Sequence, residues 1–214
     1  MKRCPILIAR ILLFLLPAAP LQALDVNITE DIESIEVMHD GRPVTIRRNQ
    51  DPDNTVNPDY ARTSRKCPPF CIQPINIAEG VETIGELELL DYLQRMHAGD
   101  DSILVIDSRT PDWVRKGTIP GSINISWKTL DPAAGADPFE VADILEEQFN
   151  VDTREGLWDF SAAKTLVLFC NGLWCGQSPS NIKSLLTFGY PASKIKWYRG
   201  GMQSWELLGF TVVK

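Results

Sequence analysis

Two short, wholly apolar runs constrain this chain more than any other feature: Ile103-Leu104-Val105-Ile106, which ends at Asp107, and Leu166-Val167-Leu168-Phe169, which ends at Cys170. A brief apolar run without polar alternation is the pattern of a strand buried on both faces. The stretches around them have helical spacing instead. Leu87, Leu90 and Leu93 mark one helix, and Thr83 with Glu86 three residues on predicts a capping box at its start. Val141 to Phe149 has a helical pattern, a helix from Pro179 runs through Ile182, Leu185 and Leu186, and a last one covers Gln203 to Leu208. Ile123 to Ile125 and Lys196 to Tyr198 read as further short strands. Strands alternating with helices predict an α/β fold, a central parallel sheet with helices on both faces.

The N-terminal part is different. Lys2 and Arg3 precede an apolar run from Ile11 to Leu16, and Leu21-Gln22-Ala23 follows as a small-residue cleavage signal. This is the pattern of a secretory signal peptide over residues 1–23, which predicts a periplasmic or secreted protein. The alternative is an uncleaved N-terminal membrane anchor. Arg10 interrupts the apolar stretch, and no later segment is long and apolar enough to span a bilayer. Beyond it, Ser34 to Met38 and Val44 to Arg47 flank His39-Asp40-Gly41-Arg42, a hairpin turn signal. His39 is expected to be solvated and without a role. Residues from Asn49 to Lys66, rich in Asp, Asn, Pro and Arg, read as a linker or extended surface segment. Cys67-Pro68-Pro69-Phe70-Cys71 then begins a rigid passage. The chain thus divides into residues 1–23, an extension with a β-hairpin over 24–80, and a domain over 81–214.

The formal net charge of -7 argues against a nucleic-acid surface or adhesion to anionic lipid, both of which need clustered Lys and Arg. Of five cysteines, Cys4 would leave with the signal peptide. The rest form two close pairs, Cys67/Cys71 and Cys170/Cys175. In an oxidising compartment either pair can form a disulfide, and spacing alone does not say which. A local disulfide or structural clip is the leading reading for Cys67/Cys71, with thiol exchange between the pairs and metal binding behind it. Zinc needs four ligands, and the only histidines, His39 and His97, are distant in sequence, so no metal and no cofactor are expected.

Open parallel sheets collect reactive groups at the carboxyl ends of their strands, and Cys170 is at such an end. After it come Asn171, Gly172, Leu173, Trp174, Cys175, Gly176, Gln177 and Ser178, then the helix led by Pro179. The two glycines allow a tight loop with inward N–H groups, and Ser178 with Pro179 suits an N-cap and first helical position. A helix N-terminus facing the loop lowers a thiol pKa and favours a bound anion.

Four motifs in order then resemble one family. Val105-Ile106-Asp107-Ser108-Arg109 is similar to a strand ending in Asp-x-Arg, and Gly117-Thr118-Ile119-Pro120-Gly121-Ser122-Ile123-Asn124 to Gly-His-Ile-Pro-Gly-Ala-x-Asn. The Cys170 loop is the third, and Gly200-Gly201-Met202-Gln203-Ser204-Trp205 is similar to Gly-Gly-x-x-x-Trp. Together they resemble the rhodanese domain, over roughly Thr83 to Phe210. The resemblance implies a sulfurtransferase fold with sulfane sulfur carried as a persulfide on Cys170, a small sulfur donor and a thiol acceptor. Asp107 and Arg109 are expected to hold the loop. Trp205 is expected to pack, and Trp174 either packs or lines the substrate mouth.

The chain departs from that family in two respects. Cys175 stands five residues after Cys170, where the family often has Arg or Lys, and the loop is longer. Loss of the cation weakens the case for thiosulfate, a dianion, as donor. A second thiol allows Cys175 to resolve a persulfide on Cys170, and equally allows a plain loop residue or half of a structural disulfide. Two functions therefore compete with sulfur transfer: thiol–disulfide exchange through Cys170/Cys175, and a non-catalytic module docking to a periplasmic partner. A Cys-x5-Arg phosphatase is disfavoured, because Gly176 occupies the position of the arginine.

Overall fold

The structure is a computed structural model and describes residues 25–154 and 156–214. The signal peptide expected over residues 1–23 lies outside the described residues. The chain order is β1 (Ser34–His39), β2 (Arg42–Arg47), α1 (Pro58–Ala61), β3 (Glu82–Ile84), α2 (Glu86–His97), β4 (Ile103–Asp107), α3 (Pro111–Val114), β5 (Ile123–Asn124), α4 (Trp127–Leu130), α5 (Pro138–Asp143), β6 (Asp152–Arg154), β7 (Leu157–Asp159), β8 (Thr165–Phe169), α6 (Gln177–Thr187), β9 (Ile195–Tyr198) and α7 (Gly201–Leu207). Five strands form one sheet in the order β3-β9-β8-β4-β5, and every pairing in it is parallel.

The two apolar runs are neighbours at the centre of this sheet, with Val105 opposite Val167 and Asp107 opposite Phe169. Alternate residues serve opposite faces, as the pleat requires. Val105, Val167 and Phe169 pack with Leu89 and Leu93 of α2 and Met202 and Trp205 of α7. Leu104, Ile106, Leu166 and Leu168 pack on the other side with Leu145, Phe149, Ile182 and Leu185. Helices thus cover both faces, and the α/β architecture is the one expected from the strand pattern. The hairpin is present as β1 and β2, with Val37 paired to Val44. Its Ile35, Val37 and Ile46 enter the core beneath α2. The sheet places the ends of β4 and β8 side by side, which brings Asp107, Arg109 and Cys170 to one edge.

Several local expectations are corrected. Thr83 does not cap α2. It lies in β3 and donates its hydroxyl to the Ile75 carbonyl, because the parallel pairing of Glu82–Ile84 with β9 holds that segment extended. The cap is Gly85, whose N–H donates to Glu88 Oε2 at 3.0 Å. Ser178 likewise does not cap α6, which starts at Gln177 after Gly176; its hydroxyl is used elsewhere. His39 is part-buried rather than solvated, and its Nδ1 accepts the Gly121 N–H at 3.2 Å. The helix expected from Val141 begins earlier, at Pro138, with Asp137 accepting the Phe139 N–H, and its last turn, Ile144–Gln148, widens to π geometry. Inside the Asn49–Lys66 segment, α1 buries Tyr60 against the core.

Candidate active site

Cys170 follows β8, the central strand, and its main chain is tied down from the opposite side. The N–H groups of Met202 and Gln203 donate to the carbonyls of Cys170 and Asn171 at 2.9 and 3.0 Å. This requires the α7 backbone to pass directly over the strand end. Gly201 permits it: its φ is +54°, and a Cβ there would collide with the Cys170 carbonyl oxygen.

The Cys170 thiol is only 2% exposed, and Cys175 4%. Both are free. The Ser178 hydroxyl donates to Cys170 Sγ at 3.1 Å while accepting from Trp197 Nε1 at 3.0 Å, so the indole fixes the direction of the serine. Burial alone would push the Cys170 thiol up. Hydrogen bonds from the Cys175 thiol, the Ser178 hydroxyl and the N–H groups of Ser178 and Gly172 outweigh it and bring the group down from 9.0 to about 7. Cys175 moves the other way, well above its ordinary value, through burial and then through its hydrogen bond and charge interaction with Cys170. The two therefore titrate as a pair, with the first negative charge resting on Cys170.

Behind the loop, Arg109 is fully buried. Its Nη2 lies 2.6 Å from Asp107 Oδ2 and its Nε 2.9 Å from Asp107 Oδ1. Nη2 also donates to the Gly117 carbonyl at 2.6 Å, and Nη1 to Tyr60 OH at 2.9 Å and Asn171 Oδ1 at 3.4 Å. Thr118 Oγ1 completes the shell, donating to Asp107 Oδ2 at 2.7 Å. Asn171 passes the order on, its Nδ2 donating to Cys175 Sγ at 3.9 Å. Burial disfavours the guanidinium, but its hydrogen bonds and ion pair with Asp107 hold the pKa above the ordinary value. Burial also pushes Tyr60 up to about 12. Arg109 thus reaches the loop through Asn171, and Asp107 holds Arg109 in place.

A cleft of about 430 Å³ opens over this floor. Phe70, Trp113, Trp127, Trp174 and Pro69 form its walls, and Cys175 lines it; Cys170 is not part of the lining, and its Sγ lies 3.5 Å from the Cys175 carbonyl. Of the expected loop residues, Asn171, Trp174, Gly176 and Gln177 line the cleft. Leu173 lies outside, its carbonyl accepting the Gln73 N–H at 2.8 Å. Gly172 packs against Gln203, and Ser178 turns inward to the thiol. Trp174 donates Nε1 to Gln203 Oε1 at 3.0 Å, meets Phe70 edge-on at 5.6 Å and carries the Arg65 guanidinium 3.9 Å from its ring. Cys67 and Cys71 form a disulfide that closes the loop bearing Phe70. Among the described residues, no cluster of His, Cys, Asp or Glu could hold a metal ion.

The sequence reading missed Tyr60, Gln203, Phe70, Trp113 and Trp127. They come from α1, α7, the Cys67–Cys71 loop, α3 and α4, segments whose meeting is set by tertiary packing. The Pro-Pro-Phe passage between two cysteines was the one available signal, since rigid backbone presenting an aromatic is a feature of binding surfaces.

The chain is similar to a Rhodopseudomonas palustris protein of unknown function described as a possible tyrosine phosphatase, at 21% identity over 64% of this chain and 88% of that one, with a TM-score of 0.41. It is similar to a rhodanese-related protein from Thermoplasma volcanium, at 22% identity over 62% and 97% of the two chains and a TM-score of 0.38. A human single-domain sulfurtransferase, TSTD1, shares 22% identity over 58% of this chain and 95% of its own, with a TM-score of 0.35. No curated protein matches in sequence. The model of the rhodanese-like domain matches residues 89–208, more than half of the chain, and the protein belongs to that family.

Proposed function

We propose that the protein is an exported sulfurtransferase that holds sulfane sulfur as a persulfide on Cys170, with Cys175 as the thiol that resolves it. The observation that carries this reading is a buried sulfur at a strand end whose negative charge is favoured by the Ser178 hydroxyl and by main-chain N–H groups. A thiolate needs that environment to attack, and the persulfide anion formed needs the same donors. The Cys170 thiolate attacks the outer sulfur of a donor, the donor's sulfur–sulfur bond breaks, and the leaving group departs with the electron pair. An acceptor thiolate then takes the outer sulfur. Alternatively, Cys175 attacks the inner sulfur, forming a Cys170–Cys175 disulfide and releasing hydrogen sulfide, and an external dithiol restores the pair.

Cys175 lines the cleft and its neighbour Cys170, 2% exposed, does not, so a donor reaches Cys170 only when the loop shifts or Cys175 takes part. The same adjacency favours thiol–disulfide exchange as the second reading. Export rests on the signal-like segment over residues 1–23; no helix among the described residues is long and apolar enough to cross a membrane. Intact-mass analysis of the reduced protein after incubation with a sulfane donor tests the first reading. One added sulfur atom per chain is expected in Cys175→Ser, where nothing resolves the persulfide, and none in Cys170→Ser. Equal uptake by that variant refutes it. A loop disulfide in the parent, with no sulfur uptake by Cys175→Ser and no hydrogen sulfide released, would leave thiol exchange as the function.

A further inference from the structure

We infer that the aromatic cleft selects an organic sulfane-sulfur donor with an apolar body, in preference to inorganic thiosulfate, and that the Cys67–Cys71 loop supplies the selecting wall. This inference rests on the sulfurtransferase reading above and names its substrate class.

The lining decides the chemistry. Four aromatic side chains, those of Phe70, Trp113, Trp127 and Trp174, surround the cleft, and its polar groups are the uncharged Asn171, Gln177 and Ser180. Among the described residues that line it, none is charged. Three cations lie just beyond the lining: Arg109, bonded to Asn171, is paired with Asp107 at 2.6 Å, and Arg65 Nε is buried without a partner among the described residues. Arg65 stacks on Trp174 and donates to the Asp59 carbonyl at 2.7 Å. Lys116 sits 4.6 Å from the Trp113 ring and pairs with Asp59 at 3.0 Å. A small dianion entering this space loses its hydration and meets no charged side chain in the lining, which is costly. An apolar group meets ring surfaces that gain by covering it. The volume suits a small organic molecule, at the lower end of ordinary ligand pockets. The reacting end is fixed by the thiol pair in the floor.

The wall comes from outside the α/β domain. Phe70 is 40% exposed, on a loop closed by its own disulfide. That loop is held against the nucleophile loop by the Phe70–Trp174 contact, by the Gln73 N–H on the Leu173 carbonyl, and by Arg199 Nη2 on the Gln73 carbonyl at 2.7 Å. With a thiosulfonate, R–SO2–S−, the balance is simple. The Cys170 thiolate bonds to the terminal sulfur, the bond between the two donor sulfurs breaks, and R–SO2− leaves with the electron pair.

The test compares benzenethiosulfonate, methanethiosulfonate and thiosulfate as donors to the reduced full chain. It reads the half-saturating concentration for sulfur transfer, counted as persulfide retained plus hydrogen sulfide released, because leaving-group quality affects the rate. Benzenethiosulfonate is expected to half-saturate at a concentration at least about tenfold below methanethiosulfonate, with thiosulfate the weakest. Phe70→Ala, at an exposed position, is expected to narrow the ratio between the two thiosulfonates. Equal half-saturation by all three donors, or a ratio untouched in Phe70→Ala, overturns the selecting wall while leaving sulfur transfer standing. Neither persulfide nor hydrogen sulfide from any of them overturns both.

Discussion

The Ser178 hydroxyl donates to the Cys170 sulfur at 3.1 Å, and does so because Trp197 Nε1 holds its oxygen from behind at 3.0 Å. This pair supplies the directed donor on which the ionised thiol depends. A hydrogen bond to a charged group contributes about 1.5–3 kcal/mol, and 1.36 kcal/mol corresponds to about one pKa unit. Ser178→Ala is therefore expected to raise the Cys170 pKa by about one to two units. The pH dependence of iodoacetamide alkylation reads this, in a Cys175→Ser background so that a single thiol reports. An unchanged midpoint would remove Ser178 from the site's electrostatics. The same variant leaves the Trp197 indole N–H buried without its partner, a cost of about 1–3 kcal/mol in urea denaturation.

The pH profile follows from the direction of the two thiols. Cys170 is lowered to about 7, so sulfur uptake is expected to fall as pH drops through about 7, where the nucleophile becomes protonated. For stability the signs are opposite. A lowered group stabilises the fold above its unfolded value and loses that contribution as pH falls towards the folded one, so Cys170 makes stability rise between about 7 and 9. Cys175 is raised, so its neutral form is favoured in the fold and stability declines above about 9 as the unfolded chain ionises first. Thermal unfolding across this range, compared with a Cys170→Ser/Cys175→Ser double variant, should show the curvature only in the parent.

Asp107 and Arg109 are each fully buried and satisfy one another. Removing one leaves an uncompensated buried charge, which costs about 3–5 kcal/mol. Asp107→Asn and Arg109→Leu are each expected to lose stability on that scale. Arg109→Lys should also fail to restore it, because a point charge cannot reach Asp107, Gly117 and Tyr60 together. Equilibrium denaturation is the measurement, and a loss below about 1 kcal/mol would mean the pair is not what holds the loop.

The two cysteine pairs differ in state, which alkylation resolves directly. Denatured but unreduced protein should label at Cys170 and Cys175 and not at Cys67 or Cys71. Peptide mapping that found Cys67 labelled would place that loop's closure in doubt.

Legibility varied with the range of the interaction that fixes each part. The central strands were evident because Ile103–Ile106 and Leu166–Phe169 are apolar at every position, and burial on both faces leaves no other pattern. The place of Cys170 followed from where that run stops. The exact caps were not evident: Thr83 has a good capping side chain, yet three residues of parallel pairing with β9 outweigh it. Ser178 was read as a cap because its identity suits one, whereas its partner is a sulfur eight residues back. Tyr60 could not be found at all, since its link to Arg109 spans 49 positions of chain and depends on how α1 docks. That Cys175 lines the cleft and Cys170 does not is also a property of packing, invisible to spacing.

Phe70 and the thiols beneath it are encoded about a hundred positions apart, one on a clipped surface loop and the other between the central strand and its helix. On the proposed sulfurtransferase reading, recognition and reactivity are carried by separate segments of this chain. The loop between Cys67 and Cys71 contributes no strand to the sheet, so on the proposed reading donor preference would be altered by exchanging that short insert alone.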